Sequence, residues 1–524
     1  MTSFDVIIRN GKVMDGNCTP WFRADIGIEG ERIASVGRLD GHSADTVIDA
    51  KGLVVSPGFI DIHNHSDTPL VVSGRAESMV MQGVTTVLTC SCGTSPFPLS
   101  GEALREAKNR SVRYGLDIDW TDVAGYEARL RRQGISINTC LQIGHGTLRA
   151  SVMGYEARAP TGNELSEMKA FVEEAMEMGC FGMSTGLGYS PGMFAETSEV
   201  IELCKVVAKH NGLYSTHIRR GFPRNLEEAL EIGEKAGLPV QMSHIGSSTG
   251  GRDNWGKARA GTLNMVDAAR ARGIDFTADI YPYIASSTGL ASTLPQWIHA
   301  GGTKELLRRI SEPETRARIK RELGARDWTQ TLLVWFPSRQ NKRFEGKTLQ
   351  QIAQEKGADP VDAMFDLLLE EKGQISYIGF FGLEEDIKTL MKHEAVMIGS
   401  DGSALEPTGV LGEGKNHPRN YGTFVRVLQK YVGEGVLSLA EAVHKMSGMP
   451  AWRLGLYDRG TITPGAYADI TIFNPWLIKE KGTWTDPYQF PEGISHVLVN
   501  GVTVVQDGKH LGTRPGKVLH RPVG

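Results

Sequence analysis

Between residue 57 and about residue 450 the chain keeps repeating one pattern: a short apolar run, a turn of glycine or polar residues, then a charged stretch of helical periodicity. Such alternation commits a chain to parallel strands, because parallel neighbours need a long crossover and a helix is the crossover that also covers the sheet. Eight apolar runs end near His63, Thr89, Ile143, Ser184, His217, His244, Tyr281 and Asp401, with amphipathic stretches such as 164–178 and 225–236 between them. Eight β/α units predict an α/β fold, a (β/α)8 TIM-like barrel over residues 56–454. The seventh and eighth runs lie roughly 110 residues apart, far beyond an ordinary connection. An insertion over about 288–375 is therefore expected after the seventh strand. Its middle, 302–351, is rich in Arg, Lys and Glu and reads as a helical subdomain over the barrel mouth.

The two ends read differently. Runs at 4–8, 24–28, 33–36 and 46–49 look like strands, punctuated by the turn pairs Asn10-Gly11, Glu29-Gly30 and Lys51-Gly52. Runs at 468–473, 496–499 and 503–506 repeat this, with Asn474-Pro475, Asn500-Gly501 and Asp507-Gly508 as turns. Neither end has enough strands for a stable sheet of its own. Residues 1–55 and 455–524 are therefore expected to share one small β-sandwich.

Composition narrows the function classes. The 524 residues are 40% hydrophobic and 23% charged with a net charge of −4, a globular balance without the basic excess of a nucleic-acid or anionic-membrane binder. No run reaches the eighteen or so apolar residues needed to span a bilayer. The opening Met1-Thr2-Ser3-Phe4-Asp5 has no signal-peptide character, which points to the cytoplasm. In that compartment the cysteines (Cys18, Cys90, Cys92, Cys140, Cys180 and Cys204) are expected to pack as small apolar residues rather than to form disulfides.

The motif that carries chemistry is Gly58-Phe59-Ile60-Asp61-Ile62-His63-Asn64-His65. On a strand, residues two apart point to the same side, so His63 and His65 can offer both imidazoles to one ion. Two later runs end in histidine, Tyr214-Ser215-Thr216-His217 and Gln241-Met242-Ser243-His244, and the last ends in Ile398-Gly399-Ser400-Asp401-Gly402. Active groups of such barrels gather at the C-terminal ends of the strands, so these five side chains are expected to converge. Imidazoles with a carboxylate suit zinc, and an open position would hold a water with a pKa near 7.

This set resembles the amidohydrolase superfamily, whose members carry HxH, His, His and Asp at the ends of barrel strands 1, 5, 6 and 8. Many binuclear members bridge their metals with a carboxylated lysine. Here the matching region offers none, but Thr89-Cys90-Ser91-Cys92-Gly93 follows the second strand. In this the chain resembles the N-acyl-D-amino-acid deacylase (D-aminoacylase) family, in which a cysteine at this point ligates zinc. Gly144-His145-Gly146-Thr147-Leu148-Arg149, Ser184-Thr185-Gly186-Leu187, Tyr281-Pro282-Tyr283 and His417-Pro418-Arg419-Asn420-Tyr421-Gly422-Thr423 extend the likeness over essentially the whole chain.

The resemblance implies one tight Zn2+ on Cys92, His217 and His244. It also implies a second, weaker or partly occupied position on His63, His65 and Asp401, with Cys92 able to bridge. The activity implied is zinc-dependent hydrolysis of a linear amide, the deacylation of small N-acyl-D-amino acids. Asp401, the one carboxylate of the set, is expected to take the water's proton and return it to the leaving amine. Tyr189 and Tyr283 match positions that line the family's substrate site, where a phenol can donate to an oxyanion. Arg149 and Arg419 are candidate carboxylate clamps, and His145 is expected to support the site from behind.

Two departures bear on the substrate. The family commonly has a lysine two residues after the strand 6 histidine, where this chain has Gly246, and acidic residues where it reads Arg219-Arg220-Gly221. The added charge would move carboxylate recognition to Arg220. The alternatives are a cyclic-amide hydrolase of the hydantoinase or dihydroorotase type, an N-acyl amide hydrolase without D-selectivity, and a silent metal-stabilised binding barrel.

Overall fold

The computed structural model describes residues 3–246 and 256–522, and a parallel barrel forms its centre. Its strands are Phe59–Asp61, Val84–Leu88, a third broken into Asn138–Cys140 and Ile143–Gly144, then Gly182–Gly186, Leu213–His217, Val240–Met242, Phe276–Ile280 and Val396–Ile398. Almost every residue in them is buried, as strands covered on both faces must be. The break at Leu141-Gln142 divides the wall into two hydrogen-bonded sheets. At the break, Val518–Leu519 pairs in parallel along Asn138–Cys140.

The first and eighth strands are joined beyond their ends. Asn64 bridges Gly402, the Asp401 amide donates to the His63 carbonyl at 2.9 Å, and the His65 amide donates to the Gly402 carbonyl at 2.7 Å. The seam of the barrel is thus made by the same residues that carry the candidate ligands. Helices pack outside it. Gly162–Glu177 starts at a Thr161/Glu164 capping box, and Arg224–Ala236 stops at Gly237 in the left-handed conformation.

Strands from both termini pair in one nine-stranded sheet. Its joint is Val54–Pro57, antiparallel to Ile470–Phe473. Asn10-Gly11, expected as a turn, is instead a bulge inside the strand Ser3–Val13. Asn10 takes a left-handed φ of 64° and donates from Nδ2 to Asp49 at 2.8 Å, so the pair supplies the bulge's backbone rather than a reversal. Cys18, expected to be buried, is exposed beyond the end of this strand.

The insertion is not simply helical. It holds the helices Gly302–Ile310, Pro313–Leu323, Leu349–Lys356 and Pro360–Glu370, but also a four-stranded sheet of Ala285–Gly289, Ser376–Phe380, Thr331–Trp335 and Lys347–Thr348. The charged faces of the first two helices dominate the composition of the segment and mask the buried run Thr331–Trp335. The subdomain has its own apolar core, including Leu290, Leu333, Phe336, Phe344 and Phe365.

Candidate active site

The six expected ligands meet at the C-terminal mouth of the barrel. Donor atoms of His63, His65, Cys92 and Asp401 form one group and those of Cys92, His217 and His244 another, each within 4.8 Å, with Cys92 common to both. The Cys92 sulfur lies 3.4 Å from His63 Nε2, 3.7 Å from His244 Nε2 and 3.9 Å from His217 Nδ1. His217 Nδ1 and His244 Nε2 are 2.8 Å apart. Asp401 Oδ1 is 3.0 Å from His65 Nε2, and its Oδ2 is 2.7 Å from Arg419 Nη1. Three of these residues hold left-handed backbones: Cys92 at φ 52°, His244 at 37° and Asp401 at 50°. Side chains accept such strain where the surrounding structure fixes them, and here all three lie just past strand ends.

The charges of the cluster are mutually dependent. Burial opposes ionisation of the Cys92 thiol, yet the His63 charge and contacts with His217 and His244 hold it well below the usual thiol range. Burial also opposes the Asp401 carboxylate, which Arg419, His63 and His65 hold well below the ordinary range. Against the same desolvation, Asp401 and Cys92 push His65 up to about 9, while Asp279, Cys92 and Asp401 raise His63 well above its ordinary value. A thiolate and a carboxylate stabilised by positive charge among neighbouring imidazoles are the donors a zinc ion would take over, so the residues present fit that metal.

Behind the ligands stands Asp279, which the sequence reading passed over. Fully buried on the seventh strand, its Oδ1 accepts from His63 Nδ1 at 2.9 Å and from the His244 amide at 2.8 Å, and its Oδ2 accepts from Gln241 Nε2 at 3.0 Å. An acid inside the apolar run Phe276–Ile280 was the available signal. Asp61 plays a similar part across the seam. Also fully buried, it accepts from the Ser400 amide at 2.8 Å and from Asn64 Nδ2 at 2.8 Å.

The expected substrate residues divide. Tyr189 is at the site: its ring centroid lies 4.5 Å from that of His217, and its hydroxyl accepts from Thr288 of the insertion at 3.2 Å. Arg419 is there too, paired with Asp401 and lying over the Tyr281 ring at 5.0 Å. Arg220 is exposed on the loop after the fifth strand and donates to the Ser292 carbonyl of the insertion at 2.7 Å. Tyr283 is a correction. Its hydroxyl is committed to Glu480 at 2.6 Å, so it is not offered to an oxyanion. Its neighbour Tyr281 feels the charges of Arg419, Asp401, Asp279 and Cys92, and burial is the largest influence raising its phenol.

Arg149 is a second correction. It is completely buried, with Nη1 on Glu199 and Nη2 on the Arg158 carbonyl, so no part of it is open to a substrate carboxylate. His145 belongs to the same buried group, with Nε2 on Glu199 at 2.8 Å.

Residues 46–505 match the model of the amidohydrolase family. The chain belongs to that family. Among relatives of this amidohydrolase, a D-aminoacylase of Alcaligenes xylosoxydans xylosoxydans is 35% identical over 99% of the chain and 98% of the relative. A D-aminoacylase structure, described for a binuclear metal centre with one-metal activation and second-metal attenuation, superposes with a TM-score of 0.82 at 34% identity, covering 99% of this chain and all of the other. An N-acyl-D-glutamate deacylase from Bordetella bronchiseptica, bound to zinc and a phosphonate mimic of the tetrahedral intermediate, matches equally well at 33% identity over the same shares, with a TM-score of 0.82. A D-hydantoinase shares the fold at 17% identity, with a TM-score of 0.58 over 99% of each chain. The expected superfamily and barrel are both borne out. Among the described residues of this amidohydrolase no helix is long and apolar enough to cross a membrane.

Proposed function

We propose that this amidohydrolase removes the acyl group from N-acyl-D-amino acids, releasing a carboxylate and the free D-amino acid. The observation that carries the reading is the shared position of Cys92 between two donor groups, one of them containing Asp401. Whole-length similarity to a D-aminoacylase and an N-acyl-D-glutamate deacylase supports it. In this reading Cys92, His217 and His244 would hold the tight zinc, and His63, His65 and Asp401 would form the weaker position. Zinc bound there supplies a Lewis acid that polarises the scissile carbonyl and lowers the pKa of the attacking water.

The chain's own groups do the rest. Asp401, oriented by His65 and Arg419, takes the proton of the attacking water and passes it to the departing nitrogen. Tyr189, whose oxygen already accepts from Thr288, has its own hydrogen available for the oxygen that becomes negative. Arg419, which lies at the site paired with Asp401, is the first candidate to hold a substrate carboxylate, with exposed Arg220 as the second. The cysteines of the described chain are all free, which fits a cytoplasmic site of action.

The test is a panel of N-acetyl-D- and N-acetyl-L-amino acids, with hydantoin and dihydroorotate beside them, on zinc-loaded protein. D-selective release of free amino acid supports the reading. Ring opening of the cyclic amides without linear hydrolysis would replace it with the hydantoinase type, and equal rates on D and L substrates would remove the stereochemical part. Zinc binding with no hydrolysis of any amide would favour a silent barrel.

A further inference from the structure

Cys92 sits in an unusual turn. Cys90, Cys92 and Gly93 all have left-handed backbones, at φ 64°, 52° and 77°. Only the last is a glycine, so the turn needs outside support to stay as it is. That support comes from the fourth barrel strand. Ser184, completely buried, donates its hydroxyl to the Cys90 carbonyl at 2.5 Å and accepts from the Gly93 amide at 3.1 Å, so one side chain closes the turn on both sides of Cys92. Two residues on, a side chain on Gly186 would collide with the Cys92 carbonyl oxygen, which shows how closely the two backbones lie. From the far side the Gly93 carbonyl accepts from the amides of Gly146 and Thr147 at 2.8 and 3.2 Å.

We propose that Ser184 is the positioning residue of Cys92. Its hydroxyl, by bridging Cys90 and Gly93, holds the turn that aims the sulfur at His217 and His244. Among the described residues Ser184 makes no side-chain hydrogen bond to a candidate ligand side chain, so it acts through the backbone of this turn. The proposal rests on the reading of Cys92 as a zinc ligand, and it gives the Ser184-Thr185-Gly186 segment a role separate from substrate contact.

The test is chelator competition on the purified, zinc-loaded full chain, comparing wild type with Ser184→Ala, Cys92→Ser and the double variant. Loss of an outer support of a metal ligand typically weakens binding about 10–100-fold, and Ser184→Ala is expected in that range. Because it works through Cys92, the double variant should hold zinc no more weakly than Cys92→Ser alone. Ser184→Thr against Ser184→Val repeats the comparison with side chains of one shape, and only the hydroxyl-bearing variant should retain tight zinc. That pair decides the matter if Ser184→Ala does not fold. Wild-type zinc retention in Ser184→Ala or in Ser184→Val, or losses that multiply in the double variant, would overturn the proposal. A wild-type chain that held no zinc would overturn the ligand reading and this proposal with it.

Discussion

Removing the Asp279 side chain should cost the protein both stability and metal. Its carboxylate accepts three hydrogen bonds in a fully buried setting, from His63 Nδ1, the His244 amide and Gln241 Nε2. Asp279→Ala leaves all three donors unpaired. At about 1–3 kcal/mol for each orphaned group the ceiling is about 9 kcal/mol, and water entering the vacated space lowers the expected loss to about 3–5 kcal/mol. Asp279→Asn separates the contributions. Both ligand-side bonds fall on Oδ1, so an amide oxygen there keeps them, while the new NH2 faces the Gln241 donor. Its cost should be about 1–3 kcal/mol. Urea unfolding at neutral pH measures the stabilities, and chelator competition measures zinc retention. The alanine variant should lose about 10–100-fold in zinc affinity and the asparagine variant less. An alanine variant within about 1 kcal/mol of wild type and with unchanged zinc retention would refute the argument that this carboxylate holds His63 and His244 in place.

Other perturbations test separate parts of the structure. Asp401→Asn keeps the shape of the side chain but removes its proton acceptor, so kcat should fall by about 10²–10⁴ with KM within a few-fold; near-normal turnover in a steady-state assay would end its assigned role. Arg149→Met leaves the Glu199 carboxylate buried beside His145 and should destabilise the fold by about 3–5 kcal/mol in urea, while the folded fraction keeps its KM, since Arg149 is no substrate clamp. His299 is a pH-sensitive site: burial, with Arg220 nearby, pulls its imidazole down to about 4. The unfolded chain therefore takes up this proton first, and the stability His299 contributes is full above about pH 6.5 and is lost as pH falls toward 4. At pH 5 the loss is roughly 2 kcal/mol, so His299→Gln should lose that much less than wild type between pH 7 and 5, and equal losses would remove the assignment.

Five of the six candidate ligands were legible because each follows from a local rule. His63 and His65 are two apart on an extended segment, and His217, His244 and Asp401 each close an apolar run at the end where barrels place their chemistry. Cys92 needed the family likeness, since nothing local distinguishes it from Cys90. What the sequence could not supply was contact between strands. Asp279 reaches His63 across the barrel, and no spacing rule links residues 216 apart. The same gap explains the corrections at Arg149, whose residue type suggested a carboxylate clamp, and at Tyr283, whose place in the family likeness suggested the substrate site: Glu199 and Glu480 hold their side chains. In the insertion, average composition hid a buried strand, and at Asn10-Gly11 one dipeptide serves both a turn and a bulge.

The strand Val518–Leu519 sets an order on the birth of this enzyme. It is synthesised after all eight barrel strands, yet it lies along Asn138–Cys140, residues made some 380 positions earlier. Until it arrives, the edge of that segment has open backbone donors and acceptors beside the break in the wall. The nine-stranded sheet waits in the same way, because Val54–Pro57 must find Ile470–Phe473. A chain released early from the ribosome therefore carries all six candidate ligands while that edge of the barrel wall and the joint of the terminal sheet are still open.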